Sequence, residues 1–315
     1  MVVTRILNDI LERLQFGVAL PVKDWPTGEF KPSEFGLHKN ESNQLFFSDP
    51  LDRLNMAQLR DRLEPKHCTV LSLRHSTGST NSDLLELGRL QSIHNVVHLT
   101  EHQSSGRGRR GRMWVSPYAR SLALSIGFET SKTIHQMQGL SLAVGAAVCL
   151  GLRSVGADAC GLKWPNDVIT AEGKLAGILV EHQVQNNVSQ FVIGIGVNVA
   201  LSESEKSSIV QPVVDLRALG VVADRTSIAG GIIQSVQEHV RQFVDGDRGD
   251  LIQSFKDLHY FQNQECVVLL GDSFVSGRVV DVARDGSLVM LVDGELRHFI
   301  SGEVSLRSVA FHDSY

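Results

Sequence analysis

Gly106-Arg107-Gly108-Arg109-Arg110-Gly111-Arg112-Met113-Trp114 lies between two apolar, strand-like runs, Val96-Val97-His98-Leu99 and Ser121-Leu122-Ala123-Leu124-Ser125-Ile126. This placement decides how the middle of the chain is read, because a polar loop between two such runs is a functional loop carried on a sheet. Glycine lets successive N–H groups turn toward one point, and arginine supplies a planar fork suited to phosphate oxygens. The composition describes a clamp for a compact anion. A solvated basic loop or a weak RNA contact has the same composition, so the loop alone does not separate these readings.

Outward from the loop, short apolar runs alternate with helical ones. Cys68 to Leu73 reads as the opening strand of a new domain, with a boundary near residue 66, and Gly139 to Val155 has almost no charge and reads as a buried helix. Ile178-Leu179-Val180 and Phe191 to Ile195 are strand candidates; Arg225 to Val244 and Leu251 to Leu258 carry helical periodicity. After Gln262 the texture changes. Cys266 to Leu270, Val275 to Ala283, Ser287 to Leu291 and Arg297 to Ile300 are short strands separated by Gly271-Asp272, Asp285-Gly286 and Asp293-Gly294, which are hairpin signals. They predict a small SH3-like barrel. At the other end, Ile6 to Phe16 and Leu54 to Leu63 have helical spacing, while Gly17 to Pro50 is broken by four prolines. The reading is α+β: an irregular N-terminal region over 1–66, a mixed-sheet domain over 67–262 and an SH3-like β-barrel over 263–315.

Composition sets limits on function. With 315 residues, 42% hydrophobic and 21% charged, the chain is long enough for two or three domains with buried cores. The formal net charge is −5, so the arginine cluster is a local feature and not part of a nucleic-acid-seeking surface. Cys68, Cys149, Cys160 and Cys266 lie in apolar surroundings without CxxC spacing and read as reduced core residues; the histidines show no zinc-ligand spacing. No apolar run reaches the length of a membrane span, and Met1 to Ile6 lacks a signal-peptide core. A cytoplasmic protein with no membrane partner is expected.

Other clusters carry chemistry. Lys163-Trp164-Pro165-Asn166-Asp167 puts a lysine, an amide and a carboxylate on a proline-fixed turn; it suits nucleotide and magnesium, or is a plain polar turn. Lys174 stands at the mouth of the apolar run Leu175 to Val180, facing an anion or snorkelling to the surface. Ser76-Thr77-Gly78-Ser79-Thr80-Asn81 offers hydroxyls and an amide suited to a neutral polar group such as a urea, unless Ser79 or Asn81 is only a helix cap. Gly194-Ile195-Gly196-Val197-Asn198 begins like a dinucleotide fingerprint, but Val199 stands where the third glycine belongs. Its glycines are read as permitting close approach to a ligand.

Taken in order, these segments resemble the biotin protein ligase family. The residues that carry the resemblance are Ser79-Thr80-Asn81, Glu101-His102-Gln103-Ser104-Ser105 leading into Gly106 to Arg112 with Trp114, Lys163 to Asp167, Lys174 to Val180, Val192 to Asn198 and Gly302 to Arg307. The match covers most of the chain. It implies a mixed-sheet catalytic domain followed by an SH3-like domain, and an enzyme that activates biotin with ATP to biotinyl-5′-adenylate. Biotin then passes to a lysine of the biotin carboxyl carrier protein of acetyl-CoA carboxylase.

The family's residues carry over by motif. Ser79, Thr80, Asn81, Gln103, Ser104, Gly106, Gly108, Arg109, Arg110, Lys174 and Gly177 are implied to bind biotin. Arg107, Arg109, Arg110, Arg112, Trp114, Lys163, Asn166 and Asn198 are implied to bind ATP or the adenylate. Arg109, Lys174 and Asp167 are the implied catalytic set, with Asp167 a Mg²⁺ ligand, an orienter of Lys174 or a base toward the acceptor lysine. Ser104 departs from the family's more usual glutamine. The resemblance leaves two alternatives: a bifunctional ligase that also represses the biotin operon, and a lipoate ligase or transferase. Residues 1–66 are short for a winged helix-turn-helix and would be a remnant of one; they show no basic recognition helix, so DNA is not an expected partner. A homodimer is compatible with the pattern. Like charges in the arginine loop repel, so it is expected to move when empty and to order over ligand.

Overall fold

The computed structural model describes residues 10–11, 14, 18–25, 31–47, 50–63, 70–246, 248–270, 273–300 and, for the backbone, 304–308. Most of the expected helix over 6–16, Cys68, the Gly271-Asp272 turn and the start of the Gly302 to Arg307 motif lie outside them.

The proline-broken stretch has order that local sequence does not reveal. Strands β1 (Leu20–Pro21), β2 (Leu37–Lys39) and β3 (Gln44–Phe47) pair antiparallel in the order β1-β3-β2. Elements of two to four residues are too short to display a period, which is why the region reads as irregular. Leu11, Leu14, Trp25, Phe35, Leu37, Leu45 and Phe47 form one buried cluster together with Tyr118 and Ala119, contributed from beyond residue 66. Phe47 stacks on Tyr118 with 6.1 Å between ring centroids. Helix α1 (Met56–Arg62) follows, started by Asn55, whose side chain accepts from the Ala57 and Gln58 N–H groups.

The central sheet comprises β4 (Val70–Arg74), β5 (Val96–Thr100), β6 (Ser121–Thr130), β7 (Gly161–Lys163), β8 (Asp167–Thr170), β9 (Gly173–Gln185) and β10 (Val188–Asn198), in the order β4-β5-β6-β10-β9-β8-β7. Only β4 and β5 run parallel among these pairs, joined through helix α2 (Thr80–Gly88), as parallel neighbours need a crossover. Helices α3 (Leu140–Arg153), α5 (Arg225–Asp245) and α6 (Arg248–Leu258) share a core with the sheet, and the short α4 (Glu203–Ser207) sits in the segment after β10. Strand alternation sorts side chains between the two faces. Leu122, Leu124, Ile126, Ile178, Ile193 and Ile195 enter the helix-side core. The residues between them are mostly small: Gly196 pairs with Ala123 and Gly177, and Gly194 pairs with Ser125 and Leu179. The Ala123-Gly196-Gly177 row, nearly free of side chains, therefore crosses the opposite face and leaves a trough.

A buried ion pair closes the seam between these parts. Arg225, the first residue of α5, and Glu101, at the end of β5, are both fully buried and bonded to each other; Arg225 also donates to the carbonyls of Ser121 and Asp52. The remaining Glu101 oxygen accepts from the Leu54 N–H at 2.8 Å.

The C-terminal unit is a five-stranded antiparallel sheet of β11 (Glu265–Leu270), β12 (Ser273–Val282), β13 (Leu288–Val292), β14 (Glu295–Phe299) and β15 (Val304–Ser308), ordered β14-β13-β12-β11-β15. Asp293 and Gly294 both take positive φ between β13 and β14, the two-residue hairpin that their identities predict. Cys149, Cys160 and Cys266 are buried free thiols, and tertiary packing brings the first two to 3.4 Å between sulfurs. Among the described residues no helix is long and apolar enough to cross a membrane.

Candidate active site

The arginine loop folds as a small hairpin over the trough. Trp114 N–H donates to Gly106 C=O and Gly108 N–H to Arg112 C=O, while Arg110 (φ 57°) and Gly111 (φ 70°) turn the tip through the left-handed region. The turn splits the arginines. Arg107 and Arg109 line the cleft, whereas Arg110 and Arg112 are exposed at the tip and outside its lining. The reversal at Arg110 thus leaves Arg110, expected to meet biotin and nucleotide, and Arg112, expected to meet nucleotide, at the exposed tip.

Arg109 donates from Nη1 to Asn166 Oδ1 at 2.9 Å, and Asn166 Nδ2 donates to the Ile178 carbonyl at 2.8 Å. Burial, followed by the adjacent charge of Arg110, lowers the Arg109 pKa, with Asp167 pulling the other way. The Lys163-to-Asp167 motif is itself a hairpin turn. Lys163 pairs with Asp167 across β7 and β8, and Trp164 is buried with its indole N–H donating to Gly286 C=O in the C-terminal unit at 3.0 Å. Trp164 is therefore a core residue that joins the central and C-terminal units. Lys163 also lies outside the cleft lining.

Lys174 Nζ is 2.7 Å from Asp167 Oδ1 and 5.5 Å from the Trp114 ring centroid. Gly177 leaves room for these two groups, since a Cβ there would lie 3.0 Å from Lys174 Nζ and 3.2 Å from the Trp114 ring. Gly196 is tighter. A Cβ on it would come within 2.3 Å of Trp114. The glycines of Gly194 to Asn198 thus admit the chain's own side chains. Trp114 Nε1 is buried without a hydrogen-bond partner, a donor available to a ligand. Trp114 and Lys174 lie across the glycines of the trough floor, so a ligand that reaches the floor takes the space these two side chains fill. Gly196→Ala should cost about 1–3 kcal/mol through overpacking and move Trp114 toward solvent. A red shift in tryptophan emission with a lower thermal midpoint is the expected result; Trp25 and Trp164 are buried and should not contribute.

The other end of the cleft is a polar ladder at the start of α2. Gln103 Oε1 accepts from Thr80 N–H at 2.9 Å and from Thr80 Oγ1 at 3.2 Å. Ser125 Oγ lies 2.7 Å from Thr80 Oγ1 and 2.5 Å from Asn81 Oδ1. Asn81 Nδ2 donates to the Leu179 carbonyl and to Glu181 Oε2. Ser79 precedes the helix as its N-cap residue and lines the cleft, but its side chain makes no cap bond. Gly106 stands at the hairpin base, where a Cβ would lie 2.4 Å from the Trp114 carbonyl oxygen.

Two expected binders sit elsewhere. Ser104 is exposed with its hydroxyl directed at the Thr77 carbonyl, and it is outside the cleft lining. Asn198 is buried, and its amide donates to the Lys174 and Val214 carbonyls, so it ties the segment beyond α4 to β9 and does not face the cleft. Ser125 and Glu181 were not legible as site residues; strand pairing sets them beside Asn81 and the glycines of the trough floor. The Mg²⁺ expected at Asp167 has no protein cage: among the described residues no three His, Cys, Asp or Glu side chains gather. Asp167 instead faces Lys174.

Behind the ladder, His102 is buried with Nδ1 2.9 Å from Ser76 Oγ. Burial pushes its pKa down to about 4, and does the same to His259. The unfolded chain takes up these protons as pH falls below 6.5, the folded chain only near 4, so their stabilisation is complete above pH 6.5 and is lost between pH 6.5 and 4. The thermal midpoint should fall across that window, and less steeply in His102→Gln. An equal slope in the variant would show that His102 is not a contributor.

Known proteins share this chain's sequence pattern and fold. The Biotin/lipoate A/B protein ligase family model matches residues 74–198, and the Biotin protein ligase C terminal domain matches 261–307. Bifunctional ligase/repressor BirA of Escherichia coli is 33% identical over 262 residues, covering 82% of this chain and 80% of the relative. Biotin--[acetyl-CoA-carboxylase] ligase of Mycobacterium tuberculosis is 39% identical over 175 residues, 53% of this chain and 62% of the relative. Among solved structures, the biotin protein ligase from Aquifex aeolicus in complex with biotin and ATP superposes with a TM-score of 0.65 at 23% identity, covering 76% of this chain and 99% of that one, a likeness of fold.

Proposed function

The chain belongs to the biotin protein ligase family, and we propose that its cleft joins the biotin carboxylate to the α-phosphate of ATP and then passes the acyl group to a carrier lysine. In the first step a carboxylate oxygen attacks the α-phosphorus and pyrophosphate leaves. In the second, the neutral acceptor amine attacks the acyl carbon, AMP leaves and the amine's extra proton goes to solvent. Neither step needs an enzyme nucleophile; the work is to hold two anions together and to absorb charge that develops on phosphorus.

The observation that carries this reading is the division of the cleft. Arg109 bonded to Asn166, and Lys174 paired with Asp167 behind it, stand at one end, and a neutral ladder of Thr80, Asn81 and Gln103, backed by Ser125, forms the other. A neutral ladder suits a ureido ring, and two cations suit a carboxylate beside a phosphate. We assign Arg109 and Lys174 to those anions, Asp167 to orienting Lys174, and Trp114 to the adenylate. Magnesium supplies charge neutralisation on the phosphates when bound and enters with ATP.

We assign the acceptor lysine to the carrier protein of acetyl-CoA carboxylase, a reading supported by the name of the Mycobacterium tuberculosis relative, which gives acetyl-CoA carboxylase as its substrate. We assign residues 67–262 to catalysis and 263–315 to an appended domain, and residues 1–66 to bracing, since Phe35 and Phe47 pack on Tyr118 and Asp52 reaches Arg225. The cleft is built from one chain, so the reading needs no second copy. Biotin-dependent exchange of labelled pyrophosphate into ATP is the test. Exchange with lipoate in place of biotin would move the assignment to the lipoate branch, and no exchange with either would remove it. A gel shift of a biotin-operator duplex in the same samples would restore a repressor role.

A further inference from the structure

Glu181 is a carboxylate that the reaction does not call for, set on the trough face of β9 two residues beyond Leu179. Its Oε2 accepts from Asn81 Nδ2 at 2.8 Å and from Arg107 Nη2 at 2.8 Å. Asn81 is buried and further held by Ser125 and the Leu179 carbonyl, so it is a fixed point of the ladder. One carboxylate oxygen therefore ties the first arginine of the flap to a buried, hydrogen-bonded wall. The flap's bond from Arg109 to Asn166 must be remade when anions enter, because Arg109 is the group that meets them. Glu181 is itself an anion and repels them, so its pairing with Arg107 is the tie that can persist while ligand is present. The Arg107 side chain is 43% exposed and that of Glu181 24%. Pairs this wet are weak enough to open on each turnover.

We propose that Glu181 is the latch of the arginine flap, a positioning residue that holds the hairpin shut through Arg107 and thereby sets how long the reactive mixed anhydride stays in the cleft. This rests on the ligase reading for its consequence, but not for the closure itself. Closure is read without ligand by limited trypsin cleavage after Arg110 and Arg112 at the exposed tip, located by mass spectrometry. Glu181→Gln keeps an oxygen that accepts from Asn81 and loses the charge facing Arg107. Nicking should run up to about five-fold faster than in the wild type at low salt, and should lose the acceleration by salt expected of the wild type. Arg107→Gln should behave alike, which separates the latch from any local effect of altering Glu181. Release of preformed labelled biotinyl-adenylate, followed by rapid filtration, should rise by a similar factor in Glu181→Gln. Equal nicking in wild type and Glu181→Gln overturns the latch whatever the activity. A wild type that forms no adenylate overturns the ligase reading, while the nicking ratio still judges the latch.

Discussion

Arg109→Ala is expected to lower biotin-dependent pyrophosphate exchange by about 10²–10³-fold, the usual loss when a preorganised donor to developing charge is removed from a water-poor site. Arg109→Lys should recover only part of this, since an ammonium keeps the charge and loses the planar fork. The thermal midpoint should change little, because the residue lies in the cleft and not in the core. The comparison that gives the result meaning lies one and three residues further on. Arg110→Ala and Arg112→Ala remove charges of the same sign from the exposed tip, and each should cost less than about ten-fold. Losses of one size across all three would mean that the loop acts as a diffuse basic patch, and the clamp would have to be abandoned.

Glu101→Ala and Arg225→Ala should each cost about 3–5 kcal/mol of stability, because removing one partner leaves an uncompensated charge in a site with no water to solvate it. The second variant also strands the Ser121 and Asp52 carbonyls. Chemical denaturation should give single losses that sum to more than the loss in the double variant, the mark of a direct pair. Glu101→Leu combined with Arg225→Met should regain much of the deficit, since apolar replacement of a buried pair is often neutral. Strict additivity would show that the two charges are compensated elsewhere. Activity offers a second readout. Glu101 is two residues before Gln103, so Glu101→Ala should raise the KM for biotin more than it lowers kcat.

Sequence alone determined the elements with strong local signals and the chemistry of their residues. The apolar run over Leu140–Arg153 is a buried helix because it has no polar face to show water, and Asp293-Gly294 is a tight hairpin because its residues tolerate left-handed backbone. The spaced motifs likewise named Arg109, Lys174, Asp167, Thr80, Asn81 and Gln103 as candidates by residue type and order. Local sequence could not tell which of four neighbouring arginines enters the cleft, nor that Asn198 and Lys163 turn elsewhere. Nor could it place Ser125, Glu181 and the Ala123-Gly196-Gly177 row together, or the tiny sheet before residue 50. Those outcomes depend on register between strands far apart in the chain and on a reversal at Arg110. A one-residue change of register would send every side chain of a strand to the opposite face, so only the completed sheet decides which residues meet.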